Sequence, residues 1–124
     1  MSELRATISF ELDGIPLADM PIVRRYIVNE VSTQMNIVAA ADNGSTYHPI
    51  AAAIMPTLGV ICLTMDQALN LNINQNTPLP MNAGGLVLIM GCALAQGTPT
   101  DNIEYNNPAV SQSANLGIPV LGGT

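Results

Sequence analysis

The chain offers few side chains for acid–base or nucleophilic chemistry. His48 is the single histidine of 124 residues, and its nearest acidic neighbour in sequence is Asp42, across a predicted turn. A Ser or Cys nucleophile needs a base and an orienting group, and His48 is the one histidine that could act as that base. No local motif surrounds any Ser or Cys, so a hydrolase or isomerase using His48 is weakly supported. We predict no enzyme and no catalytic residue.

Metal and phosphate sites have equally little support. His48 has no His, Cys or carboxylate at ligand spacing, which favours an ordinary histidine beside a turn. Glu11, Asp13 and Asp19 lie close in sequence but lack the ligand loop of an EF-hand, so a solvated acidic edge is the better interpretation. The glycine pair at 84–85 lacks the Lys and Ser/Thr of a phosphate loop and indicates a turn or bulge. We predict no metal and no cofactor.

Composition excludes several classes of partner. Only 10% of residues are charged, against about 25% in an average protein, while 48% are hydrophobic and the mean hydropathy is +0.34. The basic residues are Arg5, Arg24 and Arg25, with no lysine, which excludes a groove that tracks nucleic-acid phosphates. Aromatic residues make up 3% of the chain, so stacking platforms for sugars or bases are nearly absent.

The apolar segments do not predict a membrane protein. The stretches 50–63 and 83–95 are shorter than the roughly 20 residues of a spanning helix, and the sequence begins without the basic and apolar regions of a signal peptide. Cys62 and Cys92 lie in apolar runs, which favours buried thiols, with a disulfide between adjacent strands as the alternative.

Alternating apolar and polar residues predict a chain of short strands. Residues 6–12 alternate with a period of two and end at a turn of Asp13 and Gly14. Residues 22–31 are rich in β-branched residues and predict a strand, with a short helix as the alternative. Residues 35–41 and 46–50 flank Asn43 and Gly44, which predicts a hairpin with a type I′ turn.

The second half of the chain carries the clearest strand patterns. Residues 60–65 form a continuous apolar run that predicts a strand buried on both faces. In residues 69–74 aliphatic residues alternate with asparagines, so Leu69, Leu71 and Ile73 are predicted core residues. The amide-rich stretch 70–76 does not blunt a sheet edge as lysine does, so neighbouring copies could add to it. Further strands are predicted at 86–90, ending at Gly91 and Cys92, and at 103–105.

These strands predict an all-β domain, an antiparallel β-sandwich or jelly-roll-like barrel. We place this domain at residues 1–105. Residues 106–124 contain Pro108, Gly117, Pro119, Gly122 and Gly123 and predict an extended tail, too broken for a helix and too apolar for a solvated linker, docked on the same or a neighbouring subunit.

The second half also resembles a known group of proteins. Residues 64–73 (TMDQALNLNI), a short loop and residues 81–91 (MNAGGLVLIMG) are similar in texture to small β-sandwich virion proteins of tailed bacteriophages, in which such strands form a hairpin. The endings 106–109 (NNPA) and 117–123 (GIPVLGG) are similar in style. The resemblance implies a capsid decoration (cement) protein or a head-fibre or tail component, usually a trimer seated on the capsid exterior, and it carries over no functional residue.

The charge deficit and the apolar tail favour a non-enzymatic structural protein that self-associates and binds a repeating protein lattice, such as the major capsid protein of a phage head. The alternative is a ligand-binding or receptor-binding module of a phage fibre or tail that uses Tyr47, His48 and Tyr105. The predicted interface residues are one basic pair and the apolar part of the tail: Arg24, Arg25, Leu116, Ile118, Pro119, Val120 and Leu121.

Overall fold

The chain folds into a β-sandwich with a projecting hairpin. The computed structural model describes residues 2–18, 20–50, 57–73, 78–95 and 103–123. These residues form twelve strands and contain no helix, so the predicted all-β class is confirmed, and no segment among them has the helical length and apolar character needed to cross a bilayer. The strands are β1 Ser2–Ile8, β2 Glu11–Leu12, β3 Ile15–Pro16, β4 Ile22–Val28, β5 Glu30–Ala39, β6 His48–Pro49, β7 Thr57–Met65, β8 Leu69–Ile73, β9 Leu79–Met81, β10 Leu86–Ala95, β11 Ile103–Asn106 and β12 Ala114–Gly123.

Two four-stranded antiparallel sheets make the sandwich. Sheet 1 has the order β10-β7-β12-β5, and sheet 2 has the order β6-β11-β8-β9. Residues 2–28 form two further two-stranded sheets, β1-β4 and β2-β3, which together make a long hairpin that we call the arm. The chain therefore divides into an arm and a sandwich, and the division falls at Asn29, between β4 and β5.

The core lies between the two sheets. β7, predicted to be buried on both faces, lies inside sheet 1 between β10 and β12. In β8, Leu69 and Leu71 are fully buried and Ile73 packs against the core, as the alternating pattern predicts. β9 pairs with residues 69–71 of β8, so the expectation that copies add to the edge of the amide-rich stretch is wrong for Asn70 and Leu71; residues 74–76 lie outside the described residues.

The turn at Asn43 and Gly44 forms as predicted, but its hairpin does not. Both residues have positive φ angles, 56° and 71°, and the Ser45 amide donates to the Asp42 carbonyl at 3.1 Å. β5 before the turn pairs with β12, whereas β6 after it pairs with β11 in the other sheet. The turn therefore carries the chain from one sheet to the other.

The predicted division after residue 105 is corrected by the pairing of β11 and β12. β11 pairs with β6 and β8, and β12 is a central strand of sheet 1, between β7 and β5. Residues 103–123 therefore belong to the sandwich and do not form an appended tail. Pro119 fits within a central strand because the register of β12 against β7 shifts between Gly117 and Val120.

The hairpin implied by the phage-protein resemblance is also not formed. β8 lies in sheet 2 and β10 in sheet 1, so the two segments pair with different strands. β10 continues beyond the predicted end at Gly91, whose φ of 87° accompanies a register shift between Met90 and Leu94. The turn predicted at the glycine pair 84–85 is confirmed by the φ of 78° at Gly84 and by the hydrogen bond from the Gly85 amide to Asn82.

Candidate assembly interface

The root of the arm is fixed to sheet 1. Val28 is 1% exposed, and a Cβ added to Gly122 would lie 2.7 Å from its Cγ1, so the absence of a side chain at 122 admits the arm. A Cβ added to Gly91 would lie 3.8 Å from the Tyr26 ring, an ordinary contact distance, so Tyr26 lies close to β10. The Asn29 amide donates to the Gly123 carbonyl at 2.8 Å. The arm therefore leaves the sandwich from a defined position.

The tip of the arm has an apolar face that no other described residue of the chain covers. Asp13 and Gly14, with φ angles of 52° and 79°, make the predicted turn. Leu12 lies opposite Ile15, and the Leu17 amide donates to the Phe10 carbonyl at 3.0 Å. Opposite residues in an antiparallel pair share a face. Four residues on this face are 61–68% exposed, and we call them the tip quartet: Phe10, Leu12, Ile15 and Leu17.

A groove separates the tip from the root. Two residues connect β1 to β2 on the way to the tip, and five connect β3 to β4 on the way back, which we call the return strand. The two halves of the arm therefore differ in register by three residues. The groove is about 320 Å³ in volume, and its lining includes Phe10, Met20 and Ile22. Met20 and Ile22 are 78% and 45% exposed, so the apolar surface continues past the tip quartet.

All three arginines of the chain lie on the arm, in β1 and β4. Arg5 and Arg25 are opposite each other in β1 and β4, and Arg24 lies opposite Ala6, on the other face. Arg25 pairs with Glu3 at 3.6 Å, with both side chains exposed, which is worth at most about 1 kcal/mol. The Arg24 guanidinium donates to the Val23 carbonyl. The predicted pair Arg24 and Arg25 is thus exposed, on a projecting element.

The apolar residues predicted for the interface occupy a different place. Leu116, Ile118 and Leu121 are at most 1% exposed in the core between the sheets, so they are not available to a neighbouring subunit, and their assignment to an interface is corrected. Pro119 is exposed and Val120 is half-buried. Leu116 and Ile118 alternate toward the core of their own chain, and Leu121, which follows the register shift between Gly117 and Val120, packs in the same core.

The residues of the alternative ligand site come together in part. The His48 and Tyr105 rings are 5.4 Å apart and tilted by 38°, and His48 Nε2 lies 3.3 Å from Asp42 Oδ2. Burial raises the pKa of Tyr105, and the negative charge of Asp42 adds to the increase. Tyr47 is half-buried. Tyr105 is 9% exposed, so little of its ring can reach a ligand.

The described residues contain no group of three or more His, Cys, Asp or Glu side chains that could hold a metal ion; Asp19 lies outside them. Cys62 and Cys92 are free, half-buried thiols, and burial raises the pKa of both. Cys92 Sγ donates to the Leu58 carbonyl at 3.4 Å. The two thiols are therefore unlinked, but each is half-buried where the apolar runs predicted buried thiols.

The arm is the element of the candidate interface that was not predicted from the sequence. The signal was present, because residues 4–12 alternate strictly and are followed by a turn and a second apolar run. Sequence alternation identifies an apolar face, but it does not say whether that face meets its own sandwich. Comparison of the chain with protein-family models, with curated proteins and with solved structures finds no match to any of them.

Proposed function

We propose that the chain is a non-enzymatic structural protein of a virion, a capsid decoration (cement) protein that binds and stabilises the phage head shell as a homo-oligomer. The observation that carries the proposal is the arm, which holds its tip quartet out from the sandwich at 61–68% exposure. Large apolar side chains gathered on one projecting element mark a protein–protein contact, whereas scattered ones do not.

The charge distribution supports an assembled protein. Residues 30–124 contain five acidic residues and no lysine or arginine, so most of the sandwich surface is uncharged and can enter contacts without burying unpaired ions. The arm is 27 residues long, comparable to the roughly 20–30 residues that each side contributes to a standard interface. On this proposal each copy bridges neighbouring shell subunits and raises the free energy needed to separate them; the phage-protein resemblance implies a trimer.

Light scattering of the purified full chain tests self-association. We expect a mass that is a multiple of the 13.0 kDa chain. Phe10→Ser removes one member of the tip quartet and should shift the mass toward the monomer. Val110→Ser is the matched control, because Val110 is 80% exposed but lies on the sandwich, and it should leave the mass unchanged. A monomeric wild-type chain would contradict a homo-oligomer.

Antibodies against the purified chain test the location. Applied to phage particles whose genome encodes this chain, the antibodies should label the head surface at regular intervals in electron micrographs. Particles that lack the chain, or label only on the tail, would contradict the decoration role.

The second candidate is a ligand-binding or receptor-binding module of a phage fibre or tail. The position of His48 favours it, because this exposed ring lies 3.3 Å from Asp42 Oδ2 and 5.4 Å from the Tyr105 ring, so it is oriented at the surface. His48→Ala should then abolish attachment to host cells while leaving the solution mass unchanged. Unaltered attachment would remove this candidate.

A further inference from the structure

The outer edge of β1 is an open pairing edge of the arm among the described residues. β1 pairs with β4 on one side, and no other strand of the described residues pairs along its opposite edge. A two-stranded hairpin is marginally stable in water by itself, whereas three or more strands with one apolar face are stable. Lysine and proline, which protect open edges, are both missing from residues 2–12. The arm therefore gains stability from a further strand along β1.

The first strand of the arm is self-complementary about its centre. Residues 4–12 read LRATISFEL, and Ile8 is the middle residue. When two such strands run antiparallel with Ile8 opposite Ile8, each residue meets the one equally far from Ile8 on the other copy. The resulting pairs are Leu4 with Leu12, Arg5 with Glu11, Ala6 with Phe10, and Thr7 with Ser9.

We propose that this edge pairs with the same edge of a second copy about a two-fold axis at Ile8. The charges identify the occupant, because Arg5 of each copy then lies opposite Glu11 of the other, and both pairs form at once. Arg5 and Glu11 are exposed and make no ion pair with the residues described in their own chain. On the other face apolar residues meet apolar residues, because Phe10 and Leu12 of each copy lie opposite Ala6 and Leu4 of the other, so each tip quartet extends onto the apolar face of its neighbour's β1.

The contact is isologous, so it closes after two copies or links larger assemblies in pairs. Residues 9 and 10, which connect β1 to β2, do not interrupt the edge with additional residues, since the three extra residues lie on the return strand. The inference rests on the proposed function, which requires the chain to bind copies of itself, and it names the surface and register of that binding.

Charge reversal in the full chain tests the register. Arg5→Glu places two acidic residues opposite each other twice per dimer, and Glu11→Arg does the same with two arginines. Each variant should weaken dimerisation about tenfold to a hundredfold, judged from cross-strand charge pairs. The two variants mixed in equal amounts should associate, and the double variant Arg5→Glu, Glu11→Arg should dimerise alone. Arg24→Glu is the matched control, because Arg24 lies on the other strand and face, and it should leave dimerisation unchanged.

Analytical ultracentrifugation at several protein concentrations separates the outcomes. Loss of dimerisation in each single variant, with recovery of dimerisation in the mixture, supports the pairing. The recovery also shows that the variants are folded. A wild-type oligomer whose mass no variant alters overturns the pairing and leaves the proposed function standing. A wild-type chain that is monomeric at all concentrations overturns both.

Disulfide cross-linking tests the position of the two-fold axis independently. With Cys62 and Cys92 changed to serine, Ile8→Cys should form a covalent dimer on mild oxidation, because the residue on a two-fold axis meets itself. Thr7→Cys is the control and should form far less, since Thr7 lies opposite Ser9. Equal cross-linking at both positions, or none at Ile8, would contradict the register.

Discussion

Replacing Asn107 should be among the most destabilising single changes in the sandwich. Asn107 is 1% exposed and lies in the connection between β11 and β12. Its Nδ2 donates to the carbonyls of Ala39 at 3.0 Å and Gln112 at 2.8 Å, and its Oδ1 accepts from the Ala109 amide at 3.0 Å. One side chain thus holds the end of β5 and the loop before β12 together.

The magnitude follows from these three bonds. At about 1 kcal/mol for each buried hydrogen bond, Asn107→Ala should cost about 3 kcal/mol of unfolding free energy. The whole chain has roughly 6–19 kcal/mol at typical stability per residue, so the loss is a large fraction of the total. Asn107→Asp should cost more, because a carboxylate presents an oxygen to the two carbonyls that the amide nitrogen now satisfies.

Urea unfolding followed by far-UV circular dichroism, at one fixed protein concentration, measures the effect. With an m-value of about 1–3 kcal/mol per molar urea, the midpoint should fall by roughly 1–3 M while m stays unchanged. Asn115→Ala is the matched control, because Asn115 is exposed and its Nδ2 bonds only Asp66 Oδ2. Equal losses in the two variants, or no loss in Asn107→Ala, would refute this account of the loop.

Three further changes follow from packing and titration. Gly122→Ala should cost about 1–3 kcal/mol of unfolding free energy because its Cβ would lie 2.7 Å from Val28 Cγ1. In urea unfolding, the double variant Gly122→Ala, Val28→Ala should lose less stability than the sum of the two single losses. Additive losses would contradict the clash. Hydrogen bonds from the Asn115 backbone, then from its side chain, lower the pKa of Asp66, so this stabilisation is present above the unfolded pKa and is lost as pH falls through the folded one. Unfolding free energies of wild type and Asp66→Asn should therefore converge as the pH is lowered below about 4, and a constant difference would contradict the assignment. Burial raises the pKa of Cys62 and Cys92, so both should react with iodoacetamide more slowly in the folded chain than in urea at the same pH; equal rates would show that the thiols are open.

Local pattern predicted local structure well. The alternation of Leu69, Leu71 and Ile73 predicts their burial because a strand with one buried face requires that period. The turn at Asn43 and Gly44 was predictable for a similar reason, since these residue types tolerate positive φ.

Pairing partners could not be predicted, because residues far away in sequence decide them. The Gly44 amide donates to the Asn107 carbonyl, and the Asn106 side chain donates to the Gly44 carbonyl, so the turn is held by a segment more than sixty residues later. The proline at 119 argued against a central strand, and the register shift that accommodates it has no sequence signature.

Of the residues predicted for the interface, the basic pair stays exposed and most of the apolar ones do not. Arg24 and Arg25 are exposed on the arm, but the apolar residues chosen with them lie in the core. Both sets are alternating apolar strands, and Phe10 and Leu12 have the same pattern as Leu116 and Ile118. What distinguishes them is whether neighbouring strands cover them, which depends on the complete arrangement of both sheets.

The position of β12 has a consequence for how the chain folds during synthesis. β12 follows every other described strand along the chain, yet it lies between β7 and β5 and joins them. While the ribosome is still making β12, β5 has no neighbour in its sheet, and the edges of β5 and β7 that β12 later joins remain unpaired. The arm, by contrast, needs only residues 2–28 and can form early. Nascent chains on one messenger RNA therefore expose their arms before their sandwiches close, which makes this the stage most prone to aggregation and a natural point for chaperone binding.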